Sequence, residues 1–143
     1  MKISGVKILD LKVIKTPKGD ILKYLSKKNK FFRGFGEIYF SEIKNKRTKG
    51  WNYHKKNSCT ISVPFGRVKF HLIDGRKKSK TFNKELKILI SKKNFKLLII
   101  PPRIWFSFKS LDKISVVANL LNKIHSKNET KKSNIIKNIK IKN

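Results

Sequence analysis

The stretch Thr60-Ile61-Ser62-Val63-Pro64-Phe65-Gly66-Arg67-Val68-Lys69-Phe70-His71-Leu72 decides the fold. Ile61, Val63 and Phe65 alternate with Thr60, Ser62 and Pro64; after a break at Gly66-Arg67, Val68, Phe70 and Leu72 alternate with Lys69 and His71. Side chains of a strand point alternately to opposite faces, so this period of two predicts two half-buried strands joined tightly. Just upstream, Trp51, Tyr53 and His54 form a third extended piece entered through Gly50. Bulky amphipathic and titratable side chains crowd together there, and a pocket is expected to begin at that point.

Outward from this centre the same pattern recurs. Residues 6 to 14 are a strand-like apolar stretch closed by Thr16-Pro17-Lys18-Gly19-Asp20, a turn signal. Ile21 to Leu25 fits a strand or a helical turn. Phe31, Phe32 and Phe35 with Gly34 and Gly36 form a kinked aromatic segment, and Glu37 to Ser41 alternates as a strand. Downstream, Leu86 to Ile90 and Lys96 to Ile100 read as short strands, the second ended by Pro101-Pro102, neither of which offers an amide hydrogen to a ladder. Ile104, Phe106 and Phe108 alternate again, whereas the segment from Ile114 fits helical spacing and a buried strand equally. Roughly eight to ten short strands separated by turns predict an all-β sandwich or barrel.

At 143 residues the chain is expected to form one domain over residues 1 to 126, followed by a basic tail over 127 to 143. That tail is lysine, asparagine and isolated isoleucine, too poor in apolar surface to offset chain entropy, and is expected to be disordered. Cys59 is the single cysteine, which excludes an internal disulfide. The longest apolar run, Leu97 to Pro102, is far too short to cross a bilayer, and a cytoplasmic, soluble protein is expected. The net charge of +29 invites a nucleic-acid reading. Against it, the basic residues are 32 lysines and 5 arginines, whereas phosphate forks and base readout favour arginine. Lysines spread over a solvated surface would still attract anions such as a nucleotide diphosphate.

Several segments in order carry a more specific resemblance: Thr16-Pro17-Lys18-Gly19-Asp20, Glu37 to Ser41, Lys49-Gly50-Trp51-Asn52-Tyr53-His54, Pro64-Phe65-Gly66, Asp74-Gly75-Arg76 with Ser79 to Phe82, and Ile100-Pro101-Pro102 through Phe108. Over about residues 6 to 125 the chain resembles the dTDP-4-dehydrorhamnose 3,5-epimerase family, and at His54-Lys55-Lys56 the related dTDP-sugar 3,4-ketoisomerases. The resemblance implies a cupin-type jelly roll, a homodimer, a dTDP-linked sugar as substrate in surface polysaccharide biosynthesis, and no metal or other cofactor.

The departures from that family bear on the chemistry. Epimerisation next to a ketone needs a base and an acid. The family's Arg-Gly-x-His-x-Gln pattern is written here with Asn52 at the histidine position, and an amide takes no proton near neutral pH. The family's acidic tyrosine falls at Ala118. His54, two residues from Asn52 and so on the same strand face, remains as the candidate base, with Asn52 beside it to orient a carbonyl. Glu37, Tyr39, Lys49, Lys55 and Arg76 are the candidate substrate contacts, with Lys49 and Arg76 suited to a diphosphate and Lys55 to a developing enolate. His71 reads as a strand-face histidine and His125 as a surface one. Asn52 breaks the His-x-His pair of metal-binding cupins, so no metal is expected. A catalytically silent sugar-nucleotide-binding cupin and a basic nucleic-acid binder are the alternative readings.

Overall fold

Wherever apolar and polar residues alternate, the chain lies extended. The structure, a computed structural model, describes residues 2–133. The strands are β1 (Lys7–Asp10), β2 (Val13–Ile14), β3 (Ile21–Leu22), β4 (Glu37–Lys44), β5 (Thr48–His54), β6 (Cys59–Phe65), β7 (Arg67–Asp74), β8 (Glu85–Ser91), β9 (Lys96–Ile100), β10 (Ile104–Ser110), β11 (Ile114–Leu121) and β12 (Thr130–Lys132). No helix occurs among the described residues. One sheet has the order β1-β9-β6-β11-β4 and the other β12-β5-β10-β7-β8, with β2 and β3 as a separate two-stranded ribbon. All pairings are antiparallel. From β4 onward the chain crosses between the two sheets at almost every connection, the neighbours β7 and β8 excepted. This is the expected jelly roll.

The junction at Gly66 joins β6 to β7 without pairing them; it carries the chain from one sheet to the other. Its φ of 78° and the Ser115 Cβ, which would lie 2.8 Å from any added Cβ, together require glycine. The expectation that β6 is half-buried is corrected. Cys59 to Val63 are all buried in the central strand of its sheet, and the Tyr24 hydroxyl donates to the Thr60 carbonyl. In β11, buried between β4 and β6, the helix-or-strand ambiguity resolves as strand: Ser115 and Val117 to Leu121 are buried on both faces, which erases the period of two. Ile43, Ile61, Val63, Phe70, Leu72, Ile90, Leu98, Phe106 and Leu121 fill the space between the sheets.

The expected division at residue 126 meets ordered chain beyond it. Thr130, Lys131 and Lys132 pair with His54, Tyr53 and Asn52, and Trp51 and Ser133 exchange backbone hydrogen bonds at 3.0 and 3.1 Å. The open edge of β5 supplies backbone partners that need no apolar side chains, so a lysine-rich segment can join the sheet. The remaining residues of the expected tail, 134–143, lie outside the described ones.

Candidate active site

Between the inner faces of the two sheets, towards the β4, β5 and β12 edges, lies a cavity of about 570 Å³. Alternation decides which side chains line it. From the first sheet come Glu37, Tyr39, Ser41, Val117 and Asn119; from the second come Lys49, Asn52, His54, Phe106 and Phe108, with Thr130 and Lys132 of β12. The registers Tyr39 to Asn119 to Ile61 and Asn52 to Phe106 keep each set on one face. One extra residue in β5, where Asn52 to Lys49 spans the two steps of β10 from Phe106 to Phe108, lets Lys49 join Asn52 and His54 on the cavity side.

His54 is the most constrained polar group of this cavity. Its Nδ1 lies 2.7 Å from Glu129 Oε2, with only 7% and 9% of the two side chains exposed, and its ring stacks on Phe106 at 6.1 Å between centroids. The other carboxylate oxygen, Glu129 Oε1, accepts the backbone amides of Lys56 at 2.7 Å and Asn57 at 2.8 Å. Burial by itself would raise the Glu129 pKa, but those two amides and the His54 ring outweigh it and hold the carboxyl below its ordinary value. A fixed carboxylate accepts the Nδ1 hydrogen, which leaves Nε2 as the nitrogen of the neutral ring able to take a proton. Thr130 Oγ1 links this pair to His125, 2.8 Å from its Nε2. His125 is an exposed residue that also lines the cavity.

Tyr39 faces this group from the other sheet. Asn119 Nδ2 donates to Tyr39 Oη at 2.8 Å, while Asn119 Oδ1 is buried without a partner. Burial pushes the Tyr39 phenol up to about 12, with the nearby Cys59 and Glu37 adding to the rise and Asn119 opposing it.

Of the residues expected from sequence, Glu37, Tyr39, Lys49, Asn52 and His54 meet in the cavity. Arg76, expected at a diphosphate, is not among the residues that line it. Its Nε and Nη2 each lie 2.8 Å from an oxygen of Asp74, whose side chain is fully buried and needs that cation. Lys55 is also absent from the lining: its side chain is exposed and its backbone amide donates to the Glu129 carbonyl. Ala118 points to the opposite face of β11 from Asn119, so the cavity-facing residue of that segment is the amide. Glu129, Thr130 and Asn119 were missed. Glu129 left one signal, as the only acidic residue after Asp112. Among the described residues no group of three or more His, Cys, Asp or Glu side chains is placed to hold a metal ion. No helix among them is long and apolar enough to cross a membrane.

Two β-sheets enclosing a polar cavity with a carboxylate-held histidine define a cupin-type jelly roll with a candidate acid–base site. The family profile described as dTDP-4-dehydrorhamnose 3,5-epimerase matches residues 1–141, and the chain belongs to that family. The structure is similar to that of a dTDP sugar isomerase from Desulfovibrio desulfuricans G20, with 32% identity, a TM-score of 0.89, and coverage of 92% of this chain and 85% of that one. It also shares its fold with a dTDP-6-deoxy-D-glucose-3,5-epimerase from Legionella pneumophila solved with dTDP-4-keto-L-rhamnose, at 19% identity and a TM-score of 0.84, over 92% of this chain and 74% of that one. A dTDP-4-dehydrorhamnose 3,5-epimerase from Sulfolobus tokodaii is similar at 24% identity and a TM-score of 0.82, over 90% and 77% of the respective chains. No curated protein matches the chain.

Proposed function

We propose that this protein is a single-base isomerase of a dTDP-linked 4-keto-6-deoxyhexose, acting by ketoisomerisation or by epimerisation at one carbon, in the synthesis of a surface polysaccharide. The observation that carries this reading is the Glu129-held His54 in the family's cavity, two residues from the position where Asn52 replaces the family's histidine. His54 Nε2 takes the proton from the carbon next to the ketone, and the developing enolate is stabilised by donors around it. Asn52 supplies one such donor, its side-chain amide. Lys49 and Lys132 at the cavity supply positive charge for the diphosphate as point charges rather than as arginine forks.

A homodimer belongs to the same proposal. β4 is an edge strand, and Ile38, Phe40 and Phe65, with 46%, 67% and 60% of their surface exposed, share the outer face of its sheet. An open edge beside an exposed apolar face fits a second copy of the chain.

The test is proton exchange. Incubated with dTDP-4-keto-6-deoxyglucose in deuterated water, the protein is expected to place deuterium next to the ketone, and His54→Asn to abolish this while leaving dTDP binding intact. If no deuterium enters and His54→Asn alters only stability, the cavity binds sugar nucleotides without turning them over and the proposal fails.

A further inference from the structure

Asn119 is a polar side chain on a buried face of β11, beside the thiol of buried Cys59. Its neighbours along the inward face of β11, Val117 and Leu121, are apolar and buried, and a leucine-sized side chain would pack there without leaving Oδ1 unpartnered. A buried amide with one end unsatisfied lowers stability. What the amide does achieve is its bond to Tyr39: Nδ2 occupies a lone pair of the phenol oxygen at 2.8 Å, so the phenol's own hydrogen must point elsewhere. Tyr39 lines the cavity on the sheet opposite His54.

We propose that Tyr39 is the proton donor to the substrate's ketone oxygen, and that Asn119 is the positioning residue that turns the phenol hydrogen into the cavity. This deepens the proposed function and rests on it. His54 Nε2 removes the proton from the carbon beside the ketone, and the C–H electron pair becomes the carbon–carbon double bond of an enolate. The ketone oxygen takes the Tyr39 proton, leaving a phenolate next to an enediol. The phenolate then takes the proton of the neighbouring hydroxyl as that oxygen becomes the new ketone, and the double-bond electrons accept the proton carried by His54 at the former carbonyl carbon. Both side chains end as they began, and the net change is ketoisomerisation. Raised to about 12 chiefly by burial, the phenol holds its proton at neutral pH until an enolate demands it.

A double-mutant cycle on the full chain tests this, with two readouts on dTDP-4-keto-6-deoxyglucose: deuterium incorporation beside the ketone, which needs the base, and product formation, which needs the donor as well. Tyr39→Phe is expected to lower product formation by about 100-fold or more while retaining measurable deuterium exchange. Asn119→Leu is expected to give the same split at about tenfold, and to add nothing in the Tyr39→Phe background. Asn119→Ser, too short to reach the phenol, replaces it if the leucine variant does not fold. Normal product formation by Tyr39→Phe overturns the donor assignment, and is the result expected if Oδ1 rather than Nδ2 faced the phenol. Equal losses from Asn119→Leu in both backgrounds overturn the positioning role. If the parent protein exchanges no deuterium, the proposed function falls, and the cycle is read as affinity for dTDP-glucose relative to dTDP. There, loss of the sugar's added affinity in Tyr39→Phe and Asn119→Leu without additivity supports the pair, and unchanged affinity overturns it.

Discussion

His54 Nδ1 and Glu129 Oε2 lie 2.7 Å apart although 75 positions separate the two residues in the chain. The same carboxylate also closes the loop after β5 by accepting the amides of Lys56 and Asn57. One side chain thereby holds the candidate base, the turn beside it and the last strand of the second sheet.

Glu129→Gln keeps the shape and removes the charge. Its amide group must face either the ring or the two backbone amides, and in the first case it stabilises the tautomer with hydrogen on Nε2, which cannot accept a proton. Deuterium exchange is expected to fall by at least about tenfold, with dTDP affinity unchanged. Isothermal titration together with NMR of the exchanged sugar measures both, and an unchanged exchange rate would show that the carboxylate does not serve His54.

Truncation after Ser126 removes Glu129 and β12 together. A merely decorative tail would leave the melting temperature in place. The loss of two charge-assisted bonds to backbone amides is instead expected to cost about 2 kcal/mol or more, seen as a clear drop in Tm by calorimetry. Truncation after Ser133 is the matched control.

Arg76 and Lys49 separate stability from binding. Arg76→Lys breaks the two-pronged contact with buried Asp74 and is expected to lower Tm without altering dTDP affinity. Lys49→Ala is expected to do the reverse, weakening dTDP by about threefold to tenfold in low salt and less in high salt. Parallel melting and titration curves decide the matter, and weaker dTDP binding by Arg76→Lys would return that residue to the site.

Acid should act through Asp74. Burial alone would raise its carboxyl, but Arg76, Thr81 and Ser79 together bring it from 3.8 to about 2. A folded-state value below the unfolded one means that this contribution to stability is complete above the unfolded value and is lost as pH falls from there through about 2. The Tm difference between parent and Asp74→Asn is therefore expected to be largest near neutrality and to shrink across that window. A difference independent of pH would mean the carboxylate charge contributes nothing.

Phe40→Glu places a charge on the exposed face of β4, where 67% of the phenylalanine surface is open. The variant is expected to elute as a monomer on size exclusion with its fold intact, and the parent as the proposed dimer. Equal elution would place any dimer contact elsewhere.

The strands flanking Gly66, β4, β8 and β10 were legible because apolar residues recur along each with a period of two, and β9 because its short apolar run is closed by Pro101-Pro102. β11 was not, since burial on both sides removes the polar face that marks the period. Half of the cavity could be read in the same way: Asn52 and His54, or Glu37 and Tyr39, share a face by parity alone. Glu129 and Asn119 could not be placed, because their meaning depends on which strand lies beside them, and strand order is not a local property of sequence. Arg76 is a related case. A basic residue after a strand looks free until its buried carboxylate partner is located.

The repeated crossing of the chain between sheets also governs how the protein comes into being. Each wall of the cavity is assembled from strands far apart in sequence, so loop-closure entropy precedes nearly every stabilising contact, and folding is expected on the slow scale of about milliseconds to seconds typical of such topologies. A nascent chain lacking its last thirty residues has His54 but neither its carboxylate nor the strand that borders it. On the proposed function, full activity is then expected only once this segment docks, and chains interrupted earlier in synthesis are expected to carry an incomplete site.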